Sequence, residues 1–428
     1  MKVVMLVLDG VADSLRFRPT SLEVAKTPGL DYLASRAVAG CFYPIDAVTA
    51  PESDAAVFSL LGYDPKTINV GRGLLEALGV GIRIRDGFEV AFRANFATID
   101  PVSKRIIDRR VGRSLSTAEA RELASSLDGM RLSRYGGYAR VLATVGHRAV
   151  VVIGSEERRL SANVSNTDPA YGRSGRISIA LERFEPYIAK CTPLDDSDEA
   201  RATCELVNEF TERAIEILDK HPVNVKRAEK GLPKANALLL RDAEDRHPDI
   251  TPIEKLYGMK FGIVAEMPVE KGIGRLLNMV AAEVSPPTGD IEKDMRERLS
   301  ATLELLKSVD VVYVHLKGPD EPGHDGDKKR KVKSIELIDK HYIQPLLKLV
   351  NLGEVAIIVT ADHATPPEVK AHTSDPVPVI VACERLRRYD KLSRFTEAEC
   401  CSKGSLGLIQ HGYQLLNKVF TLLKEETV

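Results

Sequence analysis

The chain has 428 residues, with 60 Lys and Arg against 61 Asp and Glu, a formal net charge of −1, 44% hydrophobic and 28% charged residues. That length accommodates one large core with an inserted domain, or two domains. The near-zero charge gives no electrostatic ground for nucleic acid or an anionic membrane as a partner, and no apolar run approaches the roughly 20 residues that span a bilayer.

The first apolar run ends at Leu8-Asp9-Gly10, which reads as a first strand followed by a carboxylate rather than as a cleavable leader. A lone Asp at such a point also serves as a turn or helix-cap residue. Residues 21–39 read as a helical region opening with Thr27-Pro28 and carrying Leu30, Leu33 and Val38. Ser53 stands before the helical run that ends at Gly62. It is an N-cap by the plain reading. The same position, beside backbone N–H groups and the positive helix end, also suits a phosphate-accepting nucleophile.

The next hundred residues change character. A strand carries Arg93 and Asn95, and Asp108, Arg109, Arg110 and Arg113 follow closely together. Such a cluster reads either as a solvated face or as planar forks for carboxylate and phosphate. Residues 116–127 predict an exposed helix, 138–145 and 148–153 a hairpin, and 166–169 and Gly172 to Gly175 turns. This stretch, 88–184, is expected to form a smaller α+β domain inserted into a core made of 1–87 and 185–428.

Residues 195–220 predict a long helix, 222–233 a polar break, and 237–240 and 261–265 buried strands. Gly272 and Gly274 suit a turn before a helix over 275–282, and a charged amphipathic helix is expected over 291–309. The stretch from Asp310 to Asp327 opens as a third buried strand, and Asp320 and His324 follow, four residues apart, on a Gly/Pro-rich loop that can place both side chains on one ion. The basic run 328–333 lacks interleaved aromatics and reads as a solvated helix start. Residues 355–359 form another buried strand, ending in Asp362 and His363, with His372 beyond Pro366 and Pro367, and 377–382 a neighbouring strand. In open α/β sheets, ligands bind beyond the carboxyl ends of strands. The six cysteines lack metal-type spacing, and a cytoplasmic protein with reduced thiols is the reading.

Three strands far apart in sequence thus end in Asp9, Asp320, His324, Asp362, His363 and, on the same loop, His372. Carboxylate and imidazole are ligands for divalent ions, and two such ions with a serine between them suit phosphoryl transfer.

This arrangement resembles the alkaline phosphatase superfamily and, within it, the archaeal-type cofactor-independent phosphoglycerate mutases. The motifs that carry the likeness include Leu8-Asp9-Gly10, Ser53-Asp54, Gly71-Arg72-Gly73, Asp108-Arg109-Arg110, Pro319-Asp320, Gly323-His324-Asp325-Gly326, Asp362-His363 and Asp375-Pro376. The resemblance implies an α/β core of three layers with a mainly parallel sheet and the inserted domain as a lid. It further implies Ser53 as the residue that becomes phosphoserine. One ion would be held by Asp320, His324 and His372, and another by Asp9, Asp362 and His363, with Ser53 as an additional ligand. Lys317 would stabilise the transferring phosphoryl group, and Arg93, Asp108, Arg109, Arg113 and Arg140 would hold the substrate. Manganese is the implied metal, with magnesium, zinc or cobalt as alternatives, and no 2,3-bisphosphoglycerate is needed. The chain departs from the family pattern at Glu52, where glycine is commoner, and at Ala12 and Asn166. A metal-dependent phosphatase or sulfatase and a non-catalytic binder of phosphosugar acids are the competing readings. The sequence leaves oligomeric state open.

Overall fold

The computed structural model describes residues 1–68, 70–174 and 177–425. The chain divides into two compact units, one of Met1–Ile68 with Ile250–Val428 and the other of Asn69–Asp249. The first contains eight strands of one sheet: β1 (Lys2–Leu8), β2 (Ala37–Phe42), β3 (Phe261–Val264), β4 (Val280–Ala281), β5 (Val311–Leu316), β6 (Val355–Thr360), β7 (Val377–Ala382) and β8 (Gly407–Ile409). Their spatial order is β4-β3-β5-β1-β6-β7-β2-β8, and β7 alone runs against its neighbours.

The physical reason is visible in the sequence. The central strands are predominantly apolar runs rich in β-branched residues and buried over nearly their whole length, as strands covered by helices on both faces must be. Helices Pro28–Ala34 and Glu397–Lys403 pack on β2 and β7, and Ile291–Leu305 packs on β3 and β5. Because β5, β1 and β6 are parallel neighbours, their carboxyl ends fall together.

The region 21–39, expected to be helical throughout, instead holds two short helices, Ser21–Val24 and Pro28–Ala34, followed by β2. Ala37 and Val38 have the β-lattice of β7 to pair with, and that pairing overrides local helix spacing. Gly272 and Gly274 lie inside the helix Pro268–Leu276 rather than in a turn, and the following segment supplies β4. A Cβ on Gly274 would come within 2.5 Å of Ile263 Cγ2, so glycine is what lets this helix approach β3.

In the second unit, the antiparallel strands Glu89–Ile99, Met130–Arg131, Tyr138–Ala143, Arg148–Gly154 and Ala237–Glu244 form one sheet. Phe92, Phe96, Val141, Val151 and Ile153 bury one of its faces against the long helix Asp198–Asp219, through residues such as Leu206 and Phe210. The unit is therefore wider than the expected insert 88–184. The long-range pairing of Ala237–Glu244 with Glu89–Ile99 draws in everything between them, including the helix Pro222–Glu229, where a polar break was expected. Tyr171–Ser174 and Ile177–Ala180 form a hairpin where a turn was expected; Gly175 lies outside the described residues. Among the described residues no helix is long and apolar enough to cross a membrane.

One buried charge ties the site-bearing loops of the first unit together. Lys331 Nζ is fully buried and donates to Asp13 Oδ1 at 2.7 Å, to the Thr365 carbonyl at 2.9 Å and to the Ala12 carbonyl at 3.1 Å. Removing one partner of such a pair strands the other in a low-dielectric interior, which costs about 3–5 kcal/mol. Lys331→Met is therefore expected to lower the denaturation midpoint sharply. Lys307→Ala, at an exposed pair with Glu304, is expected to cost under about 1 kcal/mol. Denaturant titration of both variants distinguishes these outcomes.

Candidate active site

The carboxyl ends of β1, β5 and β6 bring together all three strand-end clusters expected from sequence. Asp9 follows β1 and is 4% exposed, while Asp362 and His363 follow β6 and are fully buried. Gly10 makes this closeness feasible: its φ is +59°, and a Cβ there would lie 2.7 Å from Asp320 Oδ1 and 2.7 Å from Thr365 Oγ1. Asp320 and His324 lie on a short helix, Asp320–Asp325, rather than on an irregular loop, so their spacing stacks both side chains on one helical face.

The hydrogen bonds fix which atoms remain available. Asp362 Oδ1 accepts from the Gly10 and His363 backbone N–H groups, each at 3.0 Å, which leaves Oδ2 with no partner. Lys317 Nζ lies 3.1 Å from Asp9 Oδ2, and Asp9 Oδ1 is without one. The Thr365 hydroxyl donates to Asp320 Oδ1 at 2.8 Å and so accepts from His363 Nδ1 at 2.9 Å. His363 Nε2 is left unpartnered, 3.4 Å from Asp9 Oδ1 and 3.3 Å from Asp362 Oδ2. His372 Nδ1 bonds the Pro51 carbonyl at 2.7 Å and His324 Nδ1 the Lys370 carbonyl at 3.1 Å. Both therefore direct Nε2 toward Asp320 Oδ1, at 3.4 Å each. Backbone anchoring of one imidazole nitrogen while the other points into a carboxylate cluster is how metal-binding histidines are oriented.

Among the described residues, potential ligand atoms within 4.8 Å of one another form two groups, Asp320 with His363 and His372, and Asp9 with His315 and Asp362. His363 stacks on His372 with ring centroids 3.6 Å apart and so stands between the two. Its unpartnered nitrogen faces Asp9 and Asp362, and we assign it to them on that ground. Buried oxygens and nitrogens without hydrogen-bond partners are costly unless something else occupies them; divalent ions fit this donor set.

The electrostatics agree. Burial alone would raise the Asp9 carboxyl, but Lys317, His315 and His363 outweigh it and hold Asp9 well below the usual carboxylate range. Burial pushes Asp362 up, reinforced by Asp9 and opposed by His363. For His372, burial works downward, yet the bond to Asp320 and the Pro51 carbonyl bring it to about 9. Metal uptake there must expel a proton, so affinity falls as pH is lowered.

Ser53 is the first residue of the helix Ser53–Leu60 and is half-buried; Glu52, exposed, is the N-cap and makes no side-chain capping bond. The N-cap reading of Ser53 is thus corrected by one position. The His372–Pro51 bond ties the loop that presents Ser53 to the ligand cluster. Lys317 also meets Glu270 Oε1 at 2.8 Å; Glu270 is 1% exposed at the start of Pro268–Leu276. Sequence reasoning passed over Glu270, because the glycines after it read as a turn, and His315, because it sits inside an apolar strand.

The expected substrate-holding residues all lie in the second unit. Arg93 and Arg140 are on the sheet face opposite its apolar core, where Arg148 and Arg241 also stand. Arg93 lies 3.5 Å from Glu76, and burial together with Arg72 lowers it to about 10. Burial and the guanidinium groups of Arg148, Arg110, Arg113 and Arg241 push His147 down to about 4. This is a concentration of positive charge that suits an anion. Arg113 is exposed, and Asp108 accepts from the Arg110 backbone N–H in a turn. Arg109 differs from the rest: both arms of its fork bond the buried Asp168, at 3.1 and 2.7 Å, and Asp168 also takes Arg241 at 2.9 Å.

Comparison with known proteins adds a separate line of support. Residues 34–224 match the family described as 2,3-bisphosphoglycerate-independent phosphoglycerate mutase. A protein of that name from Aeropyrum pernix is 46% identical over 99% of this chain and 100% of its own length. One from Archaeoglobus fulgidus is 41% identical over 99% of this chain and 98% of its own. The solved cofactor-independent phosphoglycerate mutase of Thermoplasma acidophilum superposes with a TM-score of 0.64 at 31% identity, covering 99% of this chain and 100% of that one.

Proposed function

The chain belongs to the 2,3-bisphosphoglycerate-independent phosphoglycerate mutases, which are isomerases, and from that premise we propose that it interconverts 3-phosphoglycerate and 2-phosphoglycerate in cytoplasmic glycolysis and gluconeogenesis through a phosphoserine at Ser53. The observation that carries the chemistry is the set of buried, unpartnered donor atoms at the ends of three neighbouring strands.

Ser53 Oγ attacks the phosphorus of 3-phosphoglycerate, and the substrate's 3-oxygen leaves and takes up a proton. The 2-hydroxyl of the retained glycerate then attacks the phosphoserine, giving up its proton and restoring Ser53. Asp320, His324 and His372 would hold one divalent ion, and Asp9, Asp362 and His363 the other, with Ser53 as an additional ligand. When bound, the ions polarise the phosphoryl group and acidify the serine hydroxyl, and manganese is the metal we favour. The helix end at Ser53 places backbone N–H groups toward developing negative charge. Lys317, held by Asp9 and Glu270, stays charged: burial works against this, but the carboxylates of Asp9, Glu270 and Asp362 raise it well above the ordinary lysine range. It is assigned to the transferring phosphoryl oxygens.

A mutase must keep glycerate bound while the phosphoserine waits, which a hydrolase need not do. We assign the grip on the substrate to Arg93, Arg113 and Arg140 with Asp108, and to Arg109 only through its hold on Asp168. Arg113→Ala is expected to raise KM by about tenfold, the value of a charge-assisted bond, and to increase the share of free phosphate among the products. Arg109→Ala is expected instead to destabilise the second unit, because it uncovers the buried Asp168. Product analysis on 3-phosphoglycerate alongside thermal melts checks both. An Arg113→Ala enzyme with unchanged KM and unchanged product ratio would remove it from the substrate grip.

A further inference from the structure

We propose that His315 is a further protein ligand, through Nε2, of the ion assigned above to Asp9, Asp362, His363 and Ser53. The inference rests on the two-ion reading and adds to it a residue that neither strand-end spacing nor family likeness pointed to.

His315 is the fifth residue of β5, paired in register with Val7 of β1, and is 1% exposed. A histidine in the middle of a buried sheet needs partners for both ring nitrogens. Nδ1 has one, the hydroxyl of the fully buried Tyr313, at 3.1 Å. Nε2 has none. It points at two carboxylate oxygens that are themselves without partners, Asp9 Oδ1 at 3.7 Å and Asp362 Oδ2 at 3.6 Å. These separations are too long for hydrogen bonds.

They are the right separations for atoms that share an ion. Neighbouring donors about 2.1 Å from a four- or five-coordinate divalent ion lie about 3.0 to 3.6 Å from one another. His363 Nε2, likewise unpartnered, is 3.4 Å from Asp9 Oδ1 and 3.3 Å from Asp362 Oδ2. Each of the two imidazole nitrogens therefore lies 3.3 to 3.7 Å from both carboxylate oxygens, and the other oxygen of each carboxylate is already satisfied, by Lys317 at Asp9 and by backbone N–H groups at Asp362. With Nδ1–H donated to the Tyr313 oxygen, Nε2 presents its lone pair to the cluster. Tyr313 then plays for His315 the part that Thr365 plays for His363.

The test counts imidazoles on a single ion. Asp320→Asn is expected to retain one tightly bound zinc, at the Asp9 site, and X-ray absorption of that protein should report two imidazole ligands. Adding His315→Gln should reduce the count to one, and should weaken binding by about 100-fold or more in chelator competition, beyond the effect typical of an outer-shell partner. His315→Gln alone should keep one tight ion and loosen the other. One imidazole in Asp320→Asn, or unchanged affinity in His315→Gln, would overturn the assignment of His315 while leaving the two-ion site standing. Wild-type protein that binds fewer than two ions would overturn both. Should His315→Gln fail to fold, the imidazole count in Asp320→Asn decides alone.

Discussion

Ser53→Ala protein is expected to fold as the parent does and to lose turnover of 3-phosphoglycerate by at least about 10,000-fold, the order of loss when a covalent nucleophile is removed. The two halves of that result come from different physics. Catalytically, Asp54 cannot substitute: it is a carboxylate in the same first helical turn, but the proposed cycle needs an alkoxide that can both accept and return a phosphoryl group. Structurally, little is lost. Ser53 is the first helical residue rather than the cap, and Glu52 before it makes no side-chain capping bond, so no helix-ending hydrogen bond goes with the hydroxyl. In the metal-free protein a stability change within about 0.5 kcal/mol is expected, as for substitutions that touch no special feature. Steady-state kinetics beside denaturant titration measures both. A Ser53→Ala enzyme retaining a tenth of parent turnover would end the phosphoserine account.

Removing the metal is the second large effect. Dialysis against a strong chelator is expected to abolish turnover, by a factor on the order of 1,000 or more, because the charge stabilisation at the phosphoryl group is lost. Returning manganese should restore it, at about two ions per chain. Stability should fall as well, since ions that bind only the folded chain contribute to its stability. Without them, Asp9 and Asp362 keep one buried oxygen each with no partner. The pH dependence follows from His372. Its ring holds a proton up to about pH 9 in the absence of metal, so lowering pH should weaken metal uptake at the Asp320 site. Metal titrations at several pH values read this out. Chelated protein with undiminished activity would contradict the metal-assisted chemistry.

How much of this was legible beforehand depended on whether a residue's role is local. Asp9, Asp320 and Asp362 stand at the ends of apolar runs, and a strand's burial and its end can both be read from the chain itself. That the three runs are neighbours in the order β5-β1-β6 could be expected only from their coincidence and from family likeness. His315 was hidden because it occupies a strand interior, where a single polar residue gives no periodic signal; the partnerless nitrogen that marks it exists only once Asp9 and Asp362 are placed beside it. Glu270 was obscured by Gly272 and Gly274, which serve close helix–strand packing rather than a turn. The fork of Arg109 looked available in the sequence, and it is taken by Asp168, a partner whose approach depends on the fold of the second unit. The boundaries of that unit were misread for the same reason: Ala237–Glu244 joins its sheet by pairing with a strand more than a hundred residues earlier.

The central claim is that phosphate moves between two hydroxyls of one retained glycerate. Phosphorus NMR of the manganese-loaded wild-type enzyme, given 3-phosphoglycerate and no bisphosphate, tests it most directly, with the metal removed by chelation before each spectrum. The 3-phosphoglycerate signal should be replaced by 2-phosphoglycerate up to equilibrium, with little inorganic phosphate. Inorganic phosphate as the main product of the intact, metal-loaded enzyme would contradict the account and make the protein a phosphatase.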